Sequence, residues 1–265
     1  MSYILELWAT FQRGLIVLWR NKILLFGNLL MPLATILIIG PAADLQTFGD
    51  LSFEYLTTGM MSLMIFFSGM FIPNNIIWDR DSKFLNILFV SPAHRSTFVL
   101  AYSLVGSVRS TIQVMIIYLT AVGISAAIGY DIYFNAIVLI GLIGITILVT
   151  IFVGGFMTII ASYSKNSETF FLLAAMVGVP LMFLSNIFFK AESLPFGLGT
   201  LGRFNPINHL ANSIRYLMFG EYFPRTMQST LSEGVTVWEG PILIILLAFV
   251  FTILGTYIFV RTVKK

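Results

Sequence analysis

The uncharged positions of the chain gather into six long stretches, at residues 23–43, 55–78, 96–130, 132–164, 169–189 and 240–260. A membrane-spanning helix needs roughly 20 apolar residues, and each stretch meets that length. Arg109, in the third stretch, is the one charge inside them. The third and fourth are longer than a bilayer requires, which predicts tilt or extension beyond the hydrocarbon. A turn between them is expected at Gly129-Tyr130-Asp131. Pro32 and Pro180 fall inside spans, where neighbouring helices tolerate a kink.

Two further segments carry a helical period. In residues 1–22, Ile4, Trp8, Phe11, Leu15 and Leu18 recur at steps of four and three, with Glu6, Thr10, Arg13 and Arg20 on another face. This predicts an amphipathic helix in the headgroup layer, serving as an anchor or as a contact for a partner. In the outer segment 190–239, Asn205 suits a helix cap and Pro206 its first turn. Ile207, Leu210, Ile214 and Leu217 then share a face, with Asn208, Asn212 and Arg215 largely opposite. A short helix on, or dipping into, the outer leaflet is expected.

Composition agrees: 58% of residues are hydrophobic and 10% charged, against about 25% charged in soluble domains. The reading is an all-α integral membrane protein, a single domain over 1–265. Six spans put both termini on one face. That face holds Arg13, Arg20, Lys22, Arg80, Lys83, Arg95, Lys165, Arg261, Lys264 and Lys265, against Lys190, Arg203, Arg215 and Arg225 on the other. The excess places both termini in the cytosol of a multi-pass cell-membrane protein. It also accounts for the net charge of +3 without nucleic acid. No cleavable signal peptide is evident, so the first span is expected to direct insertion.

Several chemistries are disfavoured. The chain has no cysteine, and His94 and His209 begin no HExxH motif, so no metal site is expected. All 12 acidic residues sit in loops or at span ends, which counts against ion-coupled pumping and an intramembrane aspartyl protease. No GxxxxGK[ST] occurs, so ATP could act only through another polypeptide. Arg109 reads either as a ligand or gate residue at a polar cavity, or as a side chain that snorkels or pairs with a loop carboxylate.

The segment between the second and third spans, residues 79–95, begins Asp79-Arg80-Asp81 and ends Ser91-Pro92-Ala93-His94-Arg95. Asp79 or Asp81 can cap a short helix, whose apolar face would be Phe84, Leu85, Ile87 and Leu88, with Pro92 limiting it. Such a helix either docks in a groove of another protein or lies at the interface as a connection. This segment resembles the D-R-E-x-G-x-L-x-x-L-x-x-S-P-x-x-R signature of type 2 ATP-binding-cassette exporter permeases. The match falls at Asp79, Arg80, Asp81, Leu85, Leu88, Ser91, Pro92 and Arg95, with aspartate for glutamate at 81 and Lys83 for glycine. Phe183-Leu184-Ser185-Asn186, Leu194-Pro195, Asn205-Pro206 and Arg215 resemble a second motif of that family, in the variant of its drug-resistance, daunorubicin-exporter-like branch.

The resemblance implies a permease subunit with no cofactor of its own, working with a separate ATPase that carries ATP and magnesium. It implies a homodimer, or a heterodimer with a similar permease, with the substrate passing between the two. Coupling to the ATPase would use Asp79, Arg80, Asp81, Phe84, Leu85, Leu88, Pro92 and Arg95. Candidate path residues are Ser62, Phe66, Phe67, Phe71, Met176, Met182, Phe183 and Ser185, whose aromatic and thioether surfaces suit hydrophobic or amphipathic substrates such as drug-like molecules or lipids. Asn205, Pro206 and Arg215 would form an outer gate. A polysaccharide or lipid-glycan exporter is the alternative within the family. Outside it stand an ATP-independent channel and a membrane scaffold.

Overall fold

The computed structural model describes residues 3–40, 53–81, 94–129, 132, 134–185, 187, 205–219 and 239–262. The described residues are helical, with no strand among them. In chain order they form α1 (Tyr3–Arg20), α2 (Lys22–Phe26), a 3-10 turn (Gly27–Leu29), α3 (Leu30–Ala34), a π turn (Thr35–Ile39), α4 (Phe53–Met70), α5 (Ile72–Asp81), α6 (Arg95–Ile128), α7 (Ala136–Tyr163), α8 (Ser167–Phe183), α9 (Pro206–Phe219) and α10 (Glu239–Thr262).

Among the described residues, four helical stretches are long and apolar enough to cross a membrane: Phe53–Asp79, Ser96–Ile128, Ala136–Tyr163 and Ile244–Thr262. They correspond to the second, third, fourth and sixth stretches of the sequence. The first and fifth give shorter apolar helices, Gly27–Ile39 and Ser167–Phe183. The first is broken into pieces, with 3-10 and π turns on either side of Pro32, a residue that supplies no N–H to a helix. Gln113 Nε2 donates to the Leu25 carbonyl at 2.8 Å, engaging a backbone acceptor beside the first irregular turn.

Local signals fix the other helix ends. Asn135 accepts from the Ile137 N–H and caps α7, so that helix starts four residues later than the uncharged stretch. Asn166 caps α8 through the Thr169 N–H. Gly129 ends α6 with φ of 95°, a left-handed conformation that costs glycine little. Tyr130 and Asp131, also expected in that turn, lie outside the described residues. The 34 residues of α6 span about 50 Å at 1.5 Å per residue, well beyond the ~30 Å hydrocarbon layer.

The centre of the bundle is α4, in which 16 of 18 residues are buried. Its neighbours α6, α7 and α9 wrap it, and Phe53, Met60, Ile65, Tyr118, Leu142, Met157 and Leu210 belong to one continuous core. A close backbone approach joins α7 to α10. A Cβ on Gly155 would come within 2.8 Å of the Thr252 backbone, and a Cβ on Gly255 would strike the Gly155 carbonyl. Small residues at such crossings let apolar helices associate through backbone contact.

Helix α1 follows its apolar period in part, with Phe11, Leu15 and Leu18 packed against the bundle. Ile4 and Trp8, 72% and 55% exposed, face outward, while Glu6 and Gly14 are buried against the bundle. The inner face therefore carries both polar and apolar positions, while Arg20 is exposed; the outward apolar residues are what an interfacial helix offers to lipid.

Candidate functional site

The two ends of the segment between α5 and α6 are held by α1. At the near end, Arg13 reaches the Asp79 carboxylate with two nitrogens, at 3.1 and 3.2 Å. Its Nη1 also donates to the Tyr102 hydroxyl at 3.0 Å, and that hydroxyl donates to Asp79. A bidentate guanidinium–carboxylate pair fixes orientation as well as distance. At the far end, the His94 backbone N–H donates to Glu6 Oε2 at 3.0 Å, and His94 Nδ1 lies 3.3 Å from the same oxygen. Tyr3 packs edge-on against the His94 ring and hydrogen bonds with Ser96. One amphipathic helix thus braces both the exit of α5 and the entry of α6.

Asp79 is therefore engaged within the chain. The side chains of Arg80, Asp81 and Arg95, and residues 82–93 with Phe84, Leu85, Leu88 and Pro92, lie outside the described residues.

Helix α9 is packed into the bundle on both of its faces. Asn205 Oδ1 accepts from the Ile207 N–H at 3.0 Å and caps it, while Asn205 Nδ2 donates to the Leu181 carbonyl at 2.6 Å. One side chain thereby ties the start of α9 to the end of α8. Arg215, expected on the polar side, is 1% exposed. Its Nε donates to Thr58 Oγ1 at 3.1 Å, its guanidinium carbon lies 3.9 Å above the Tyr55 ring, and Nη1 reaches Asn212 Oδ1 at 3.4 Å. Burial of this guanidinium is offset by hydrogen bonds and a cation–π contact with α4. Pro206 occupies the first turn.

Arg109 stands differently. It is 7% exposed, and its Nε and Nη2 are buried without a hydrogen-bond partner. It lies at the junction of two cavities. The first, about 110 Å³, is lined by Arg13, Ser68, Asp79, Tyr102 and Arg109 among others. The second, about 190 Å³, is lined by Asn28, Phe71, Asn74, Asn75, Trp78, Arg109 and Phe171. The pairing with a loop carboxylate considered from the sequence is not made among the described residues, and residues 82–93 contain no acidic side chain.

Residues 5–219 match the family described as ABC-2 type transporter. The chain belongs to that family. It is also similar to a protein of Porphyra purpurea named as a transport permease, ycf38, with 22% identity over 222 residues, covering 80% of this chain and 73% of that one. Members of the ABC-2 family are transport permeases that work with ATPase subunits.

Within this ABC-2 permease the candidate path residues do not share one surface. Ser62 and Phe66 are buried in the single-chain core, and Ser62 Oγ donates to the Thr58 carbonyl at 2.8 Å. Phe67 and Phe71 are half-buried and stacked, and Phe71 continues to Phe171 on α8. Met176 (75% exposed) and Phe183 lie on the outer side of α8, with Met182 half-buried. Ser185 is buried and donates to the Met182 carbonyl. Sequence reasoning left the role of Arg109 open, and it missed the α1 brace because Arg13 and Asp79 are 66 positions apart. Opposite charges beside two apolar stretches were the available signal.

Proposed function

We propose that this chain is the permease subunit of an ATP-driven exporter for hydrophobic or amphipathic substrates, drug-like molecules or lipids. The single observation that carries the reading is the brace of α1 on both ends of the 82–93 segment, in a chain of the ABC-2 family. An ATPase that moves a permease must act on a short contact joined to spans without slack. A segment whose two ends are tied to one further helix meets that need.

In this reading the helix ends at residues 79–95 face the cytosol. Phe84, Leu85 and Leu88 enter an apolar groove of the ATPase, Arg80, Asp81 and Arg95 set its orientation, and Pro92 limits the docking helix. Asp79 serves mainly to hold the segment on α1. Six crossings are completed by the two short apolar helices. Two copies associate along apolar surface that one copy leaves exposed on them, such as Leu30, Ile38, Leu172 and Met176. Phe67, Phe71, Met176, Met182 and Phe183 border the path, and the α9 start at Asn205-Pro206, held by Arg215, closes its outer end. The Ser185-Asn186 variant supports the drug-resistance branch over a lipid-glycan exporter.

The test is Leu88→Asp. Burying one leucine contributes about 1.5–3 kcal/mol, so the variant is expected to insert normally yet lose ATPase capture by tenfold or more in a pull-down, and with it substrate-stimulated ATP hydrolysis. Normal capture and normal export by the inserted variant would reject the coupling role.

A further inference from the structure

We infer that the cavity beneath Arg109 is a binding site for the anionic head of an amphiphile, a phosphate or a carboxylate attached to an apolar chain. Arg109 has two buried donors, Nε and Nη2, that no protein group engages. An arginine stays charged, so the unmet demand of these donors is for an acceptor, and an anion satisfies it with charge-assisted hydrogen bonds. The second cavity supplies the remainder of such a site. Asn74, Asn75 and Asn28 bring amide groups to it, and among the described residues no carboxylate lines it to repel an anion. Asn74 Oδ1 is itself buried without a partner, and rotation of that amide would bring its Nδ2 donor to face a ligand instead.

The apolar part of the ligand is specified by the walls. Phe71 and Phe171 have ring centroids 5.7 Å apart, and half-exposed Trp78 completes an aromatic side that opens outward. A volume of about 190 Å³ accommodates a headgroup and the first carbons of a chain, not a whole lipid. A hydrated inorganic anion would meet the aromatics without benefit. A neutral amphiphile would leave the guanidinium unmet. Asp79, in the adjoining cavity, is occupied by Arg13 and Tyr102 and does not compete for Arg109.

This assignment names the substrate class on the transport reading, or else a resident lipid of the same chemistry. It is measured on the permease alone, so its outcome is separate from that of the ATPase pull-down. The full chain in phosphatidylcholine nanodiscs is titrated with decyl phosphate, with decanol, and with inorganic phosphate, following Trp78 fluorescence in a Trp8→Phe, Trp19→Phe, Trp238→Phe background. Decyl phosphate is expected to bind saturably, and Arg109→Gln to weaken it by about tenfold or more, as the loss of charged hydrogen bonds implies. Asn75→Ala, at a half-buried position, should weaken it several-fold. Decanol and inorganic phosphate should bind at least about tenfold more weakly than decyl phosphate. Equal binding of decanol, equal binding of inorganic phosphate, or wild-type affinity in both Arg109→Gln and Asn75→Ala would each overturn the assignment. Anionic lipid co-purified with wild type and absent from Arg109→Gln would identify the amphiphile as resident lipid. Decyl phosphate that stimulates ATP hydrolysis would identify it as transported.

Discussion

Glu6 is a carboxylate on a helix whose outer side is apolar, and its value lies in what it accepts. The His94 N–H and then the His94 ring hold its carboxyl below the ordinary 4.5, against a smaller opposing effect of desolvation. A lowered folded-state pKa stabilises the folded arrangement above the ordinary value, and that contribution is lost as pH falls through the lowered one. Amide exchange of residues 3–20 in nanodiscs, corrected for intrinsic pH dependence, should therefore show constant protection above pH 4.5 and loss below it. Glu6→Gln should be less protected at pH 7 and flat across the same window. An identical acid profile in the variant would remove Glu6 from the brace. The neighbouring Arg13–Asp79 pair is partly screened by solvent, the Arg13 side chain being 39% exposed. Its part is geometric.

Between helices, the glycine crossing of α7 and α10 is a sensitive contact. Gly155→Leu places a side chain where the Thr252 and Phe251 backbones stand at 2.8–2.9 Å. Overpacking of this kind costs about 1–3 kcal/mol, and thermal unfolding in detergent should report a lower midpoint. Gly144→Leu, on the same helix with nothing within 4 Å of its Cβ, should stay near wild type. Equal midpoints for the two would show that the crossing is not tight in the membrane. The long helices were legible in the sequence because an uncharged run of 20 or more residues has few other uses. The Asn205 cap was legible because Asn-Pro is a local signal. The broken first helix was not, since apolar periodicity does not register a change from α to 3-10 or π turns. The inward placement of Glu6 and Arg13 on α1 was not legible either, because their partners His94, Asp79 and Tyr102 are distant in sequence. The burial of Arg215 follows the same rule, its partners Thr58 and Tyr55 lying far back along the chain.

For the molecule as a whole, the crossing number turns on the two short helices. With six crossings, residues 50 and 232 lie on one side and 165 on the other. With the four long stretches alone, 50 and 232 lie on opposite sides. A chain without cysteine suits the measurement. Single cysteines at Asp50, Lys165 and Ser232 are expected to label from outside intact cells at 50 and 232 but not at 165. Labelling of only one of residues 50 and 232 would fix the number at four. Labelling at 165 alone would invert the orientation.

The glycine crossing has a mechanical consequence. At the glycine crossing the two backbones meet with no side chain between them, and the Phe152, Phe156 and Phe251 rings interlock beside it, so α7 and α10 are expected to travel as one rigid plank. The segmented helix from Lys22 to Ile39 is the opposite kind of object: its 3-10 and π turns divide the rod into pieces that bend at little cost. On the proposed ATP-driven reading, a stroke delivered at the braced ends of α5 and α6 would then be spent on the compliant segment from Lys22 to Ile39, with the α7–α10 plank standing as the fixed wall against which the rest moves.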